Sequence, residues 1–241
     1  MKKVYLFIFS LISISLSAQW WDSERIDGNG VITKISRNVG DFTSVSSSGS
    51  FNVELTFGKP GSISLEGEEN LLPLIQSKVE NNQLILKFKN KINIRNNKKI
   101  TIYVAMSRVE GLYLSGSGNI NGSGDFGNQG NTSFKVSGSG NINLDFDRIA
   151  ATSLAISGSG KIILKGKTDN LGIQISGSGG VDCAALIAKD VEVQISGSGT
   201  VNVHADETLE ANISGSGNIN YSGNAKNVTK HTAGSGKIRK V

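Results

Sequence analysis

Few side chains in this chain of 241 residues could do chemistry, and their spacing argues against it. A glycan-cleaving site needs two carboxylates facing one another across the scissile bond. The candidate acids Asp145, Asp147, Asp169, Asp182, Asp190 and Asp206 are scattered, and the closest pair, Asp145 with Asp147, reads as part of a solvated loop. The two histidines, His204 and His231, are far apart. No carboxylate shares a close repeat position with His204, although Asp206 is near in sequence, so neither a catalytic triad nor a histidine metal site is expected. The single cysteine, Cys183, rules out an internal disulfide and falls among apolar positions, as an inert core residue does. Gly122, Gly124 and Gly127 match the dinucleotide pattern G-x-G-x-x-G, but no helix follows them. No catalytic residue, metal site or cofactor is expected.

What does recur is a phrase without reactive groups. Ser-Gly-Ser-Gly stands at Ser115, Ser137, Ser157, Ser176, Ser196 and Ser214, with a degenerate copy at Ala233. The period is near twenty residues, which is the mark of a solenoid. Before each copy comes an alternating strand, such as "FKV" before Ser137 or "IQI" before Ser176. After it comes a second one, such as "NINL" or "TVNV", and then a variable return. Two short strands joined by a non-helical corner cannot bury a face alone, whereas stacked coils can. The corner glycines Gly116, Gly118, Gly138, Gly140, Gly158, Gly160, Gly177, Gly179, Gly197, Gly199, Gly215 and Gly217 therefore read as geometry. They permit positive φ and place no side chain between coils about 4.8 Å apart. The serines are expected to bond the free backbone groups of the corner. A calcium roll would need aspartate after the glycines, where this chain has Asn, Lys, Gly or Thr.

Aligning the copies predicts inward columns. One runs Ile120, Ile142, Ile162, Val181, Val201, Ile219 and Ile238. Two outward columns beside it are polar. Asn119, Asn141, Thr200 and Asn218 belong to the first, and Asn121, Asn143, Asn202 and Asn220 to the second. Stacked asparagines can pair amide to amide up a ladder, and the same face could offer those amides to sugar hydroxyls.

The chain begins with Lys2 and Lys3, a short apolar run from Val4 to Leu16, and a small residue, Ala18. Residues 1–18 read as a secretory signal peptide cut after Ala18. The product has no further segment apolar enough to span a membrane and is expected to be extracytoplasmic: periplasmic, at the cell surface or secreted. Taking Lys2 and Lys3 from the 25 lysines and arginines leaves 23 against 20 acids, too mild an excess to suggest nucleic acid. Residues 19–111 are less regular. "VSSSGSFNVEL" from Val45 is a degenerate coil, "NLLPLIQSKV" from Asn70 a short helical turn capped by Asn70, "VENNQLILKF" from Val79 a hairpin turning at Asn81 and Asn82, and "KITIYVAM" from Lys99 a strand. Lys87, Lys89, Lys91, Arg95, Lys98 and Lys99 form a basic run read as a solvated strand edge.

"SGSFNVEL", "ENLLPLIQSKVENNQLIL" and the repeated "GSGNIN" resemble the head GIN domain family of exported bacterial proteins, described as auto-transporter adhesin heads. The likeness covers about residues 30–240. It implies a right-handed parallel β-helix and a surface or periplasmic location, and it brings no catalytic residue. The expected organisation is all-β: residues 19–111 as an N-terminal β-rich part with a short helix, and residues 112–241 as a β-solenoid of about 20 residues per coil. The expected function is a non-enzymatic, adhesin-like module with a glycan or surface protein as partner. An envelope scaffold and a polysaccharide-active enzyme are the alternatives.

Overall fold

The computed structural model describes residues 24–89 and 92–241. The expected signal peptide, its cut after Ala18 and residue Lys91 lie outside them.

The alternating apolar residues do form strands, and the strands stack as coils of about 20 residues over about six turns. Gly116, Gly138, Gly158, Gly177, Gly197, Gly215 and Gly234 are successive Cα partners in parallel ladders, one above another. Gly49 continues the line at the other end, so the degenerate coil from Val45 is a true rung. The second face carries the inward column Ile120, Ile142, Ile162, Val181, Val201, Ile219 and Ile238 in unbroken register. All of these but Ile238 are buried, and each such side chain contributes about 1.5–3 kcal/mol of apolar burial.

The corners carry two kinds of glycine. Gly177 has φ +122°, and a Cβ there would stand 2.6 Å from Gly158 O. Gly199 has no unusual φ, but a Cβ would meet Ile175 Cγ2 at 2.8 Å and Gly179 O at 2.9 Å. The corner backbone is satisfied differently from the expectation. Gly138 O accepts both Ser159 N (2.9 Å) and Gly160 N (3.0 Å) from the next coil, leaving no role for a serine side chain. Both serines of each corner face outward and are exposed.

The variable return is a third strand, exemplified by the pairing of Gln129 with Ile149, Ile149 with Thr168 and Thr168 with Ala188. Its inward positions include polar side chains that bond inside the coil. Thr132 Oγ1 donates to Thr152 Oγ1 (2.8 Å). Gln129 Nε2 donates to Phe126 O (2.6 Å), and its Oε1 accepts Val109 N (2.9 Å).

The N-terminal part joins the same stack out of sequence order. Ser44–Gly49 lies between Gln83–Phe88 and Gly111–Gly116, all parallel. Asn52–Phe57 lies between Thr101–Met106 and Asn119–Asp125. Antiparallel strands then close this end. Ile75–Glu80 pairs with Gln83–Phe88 through a turn at Asn81 and Asn82 (φ 50° and 59°), and Gly61–Glu68 and Ile32–Gly40 add beyond Thr101–Met106. The helical turn is a single 3-10 turn, Leu72–Leu74, held by Pro73. Asn70 does not cap it: its side chain bonds Asn29 N and Asp27 O instead. Arg37 ties the outer strand down by donating to Leu72 O, Ile75 O and Ser77 Oγ. Buried Glu68 holds three backbone N–H groups, those of Gly30 (2.8 Å), Asn97 (2.8 Å) and Lys98 (3.1 Å).

Candidate binding surface

Strand alternation fixes which side chains can meet a partner. On the second face the predicted asparagines stand outward in their two columns. Asn141 Nδ2 donates to Asn119 Oδ1 (2.8 Å), and Asn119 Nδ2 donates to Asn52 Oδ1 (3.1 Å). Asn220 Nδ2 donates to Asn202 Oδ1 (2.9 Å), and Asn121 Nδ2 to Glu54 Oε1 (3.1 Å). Asn143 sits in register with Asn121, and Thr200 with Asn218. The structure thus unites the predicted residues on one face, in an upper and a lower group. Between them the columns carry Lys161 and Asp182, an ion pair (3.6 Å). Each amide has two N–H donors and two acceptor lone pairs. One or two bonds along the ladder leave the bonded amides with further donor and acceptor capacity, whereas Asn143 Oδ1 is buried without a partner among the described residues.

The first face holds open grooves that sequence reasoning passed over. One of about 430 Å³ runs past Tyr113, Lys135, Ala155 and Gln174 beside the serines of the corners. Another of about 370 Å³ runs past Gln194, Asn212 and His231. In sequence the outward position between the apolar ones holds Tyr in "LYL", Lys in "FKV", Ala in "LAI" and Gln in "IQI" and "VQI", a mixture that does not by itself mark a groove.

The third face carries an ion ladder. Asp169 bridges Arg148 and Lys189 from neighbouring coils, and these two cations hold its carboxyl below the ordinary range. At the end of the second-face strands Asp145 pairs with Lys165 (3.1 Å), its register partner on the next coil.

One cluster has the order of a hydrolytic relay. Ser222 Oγ lies 3.1 Å from His204 Nδ1, and His204 Nε2 lies 3.1 Å from Asp206 Oδ1. Catalysis would also require N–H donors aimed at the developing oxyanion. The amide of Asn224, on the same turn, points instead to Asp206 Oδ1 (3.4 Å). The geometry supports a pin between two coils. No group of three or more His, Cys, Asp or Glu among the described residues could hold a metal ion. Cys183 is buried, and burial pushes its thiol up to about 12. We expect no reaction with a thiol-specific disulfide reagent at pH 8 in the folded protein and full reaction in denaturant. Rapid labelling of the native chain would place Cys183 outside the core.

The profile of the family described as "Putative auto-transporter adhesin, head GIN domain" matches residues 41–225. The chain belongs to that family. Solved structures share the fold. A "putative adhesin" from Bacteroides fragilis is similar with TM-score 0.81 at 22% identity, over 90% of this chain and 100% of that one. A "Putative lipid binding protein" from Parabacteroides distasonis gives TM-score 0.74 at 26% identity, over 90% and 100%. A "putative adhesin" from Parabacteroides merdae gives 0.71 at 21%, over 90% and 99%. No curated protein matches the chain. Head GIN domain membership goes with export, and no helix among the described residues is long and apolar enough to cross a membrane.

Proposed function

We propose that this head GIN domain chain is a non-enzymatic binding module of the cell envelope, exported after removal of residues 1–18, whose polar second face takes a glycan. The observation that carries the reading is the asparagine ladder. Asn52, Asn119 and Asn141 are bonded in series, as are Asn202 and Asn220. The bonds fix side chains that would otherwise lose rotamer freedom on binding, so less affinity is forfeited to ordering. The remaining N–H and C=O groups repeat at the coil spacing of about 4.8 Å, a fixed array of donors and acceptors suited to hydroxyls. The adhesin descriptions of similar proteins favour the same class.

The test is a glycan array probed with the purified chain, read beside a polysaccharide-degradation assay. Binding to a defined glycan class, weakened at least tenfold by Asn141→Ala with Asn143→Ala at unchanged melting temperature, is the expected result. Chain shortening of the polysaccharide would establish an enzyme instead. Self-assembly into fibres without glycan binding would establish a scaffold.

A further inference from the structure

The two ends of the stack differ. At the N-terminal end, antiparallel strands cover the last parallel rungs. At the other end, among the described residues, Asn227–Gly234 pairs only with the strand above it, as does Lys237–Lys240. The last rung is also basic. Residues 222–241 contain Lys226, Lys230, Lys237, Arg239 and Lys240 and no Asp or Glu. All five are exposed. None forms an ion pair among the described residues, and the one described partner is the Tyr221 ring, 4.6 Å from Lys230 Nζ.

The inward register positions of this last rung are equally distinctive. Val228 continues the Leu209 column and Ile238 the Ile219 column, so the apolar core reaches the end of the stack. Lys230 continues the Ala211 column and Lys240 the Tyr221 column. Val228 is 37% exposed. The end is therefore a blunt plate with apolar positions in its middle and cations in and around it. Repulsion among five unpaired cations disfavours a second copy placed end to end, and an acidic chain in solution would leave the apolar positions unused.

We infer that this end of the solenoid docks on an anionic bilayer surface. The cations meet lipid phosphates while Val228 and Ile238 enter the headgroup boundary, the division of roles found in interfacial membrane binders. Each cation near an anionic surface contributes about 1 kcal/mol at physiological ionic strength, roughly fivefold in partitioning. Lys237 and Arg239 continue the Asn218 and Asn220 columns, so the two bindings are told apart at the far end of the ladder, where Asn141→Ala with Asn143→Ala should leave vesicle binding unchanged.

The test is co-sedimentation of the purified chain with vesicles of phosphatidylglycerol and phosphatidylcholine, beside vesicles of phosphatidylcholine alone. Binding to the anionic vesicles should exceed binding to the neutral ones by about a hundredfold or more and fall as salt is raised. The variant K230E/K237E/R239E/K240E should lose that excess at an unchanged melting temperature. Lys237 and Arg239 point outward in the Asn218 and Asn220 columns. K237E/R239E therefore leaves the core untouched and should show a loss of about tenfold or more if the larger set disturbs folding. Three results overturn the inference: anionic-vesicle binding that both variants retain, equal binding to neutral vesicles, or binding of soluble polygalacturonate at least as tight as that of the vesicles.

Discussion

Gly177→Val is expected to lower the melting temperature by about 10 °C or more. Gly177 has φ +122°, a conformation that β-branched residues essentially never adopt. Its missing Cβ would lie 2.6 Å from Gly158 O, a backbone atom that cannot swing aside. That carbonyl also accepts Ser178 N (2.9 Å), one of the bonds joining coil to coil. Backbone strain of about 1–3 kcal/mol and overpacking of about 1–3 kcal/mol add to a loss on the order of 4 kcal/mol. For a chain of this length each kcal/mol moves the midpoint by about 2–4 °C. A solenoid couples each rung mainly to its neighbours, so the damage should centre on the coils around Gly177. Protease cleavage near that corner in the variant, with the N-terminal rungs still protected, would show this directly. Unchanged melting would contradict the corner geometry.

The second large effect is expected at Glu68. Its carboxylate is buried, and it accepts Gly30 N, Asn97 N and Lys98 N. Burial alone would raise its pKa. The three amides and the nearby Lys98 charge outweigh burial and hold it below the ordinary carboxylate range. Glu68→Gln places an NH2 group where N–H donors already point. A buried unsatisfied group costs about 1–3 kcal/mol, and with two donors facing the Oε2 side the expected loss at pH 7 is about 3 kcal/mol. The folded pKa lies below the unfolded value, so the stabilisation by Glu68 is present above the unfolded carboxyl pKa of about 4.3. It is lost as pH falls through the folded pKa. Urea midpoints of wild type and variant should therefore differ most at neutral pH and converge below about pH 4. A constant gap across that window would mean that the carboxylate charge is not what holds these loops.

The stacked rungs were legible because the corner cannot vary. Each copy of Ser-Gly-Ser-Gly marks the same place, and the columns on either side follow by counting. The third face was not legible, because inward positions such as Gln129, Thr132, Thr152 and Thr168 are polar: Thr132 bonds Thr152, and Gln129 and Thr168 bond backbone groups. The position of Ser44–Gly49 between two later strands was equally hidden, since strand pairing out of chain order leaves no periodic trace. Glu68 lies in "LEGEEN", which reads as solvated, and only the fold brings Gly30 and Asn97 to it. Of the site, the asparagine columns could be counted out from the repeat, whereas the grooves beside Tyr113 and His231 depend on side-chain volumes across several coils.

Distance measurement between spin labels bears most directly on the stacked-rung account. Ser115, Ser176, Ser196 and Ser214 are exposed corner serines in one column, and buried Cys183 should not take a label. With one label at Ser115 and the second at Ser176, Ser196 or Ser214, stacked rungs give backbone separations of about 14, 19 and 24 Å, rising by one coil spacing each time. Separations that fail to rise in equal steps along this series would contradict it.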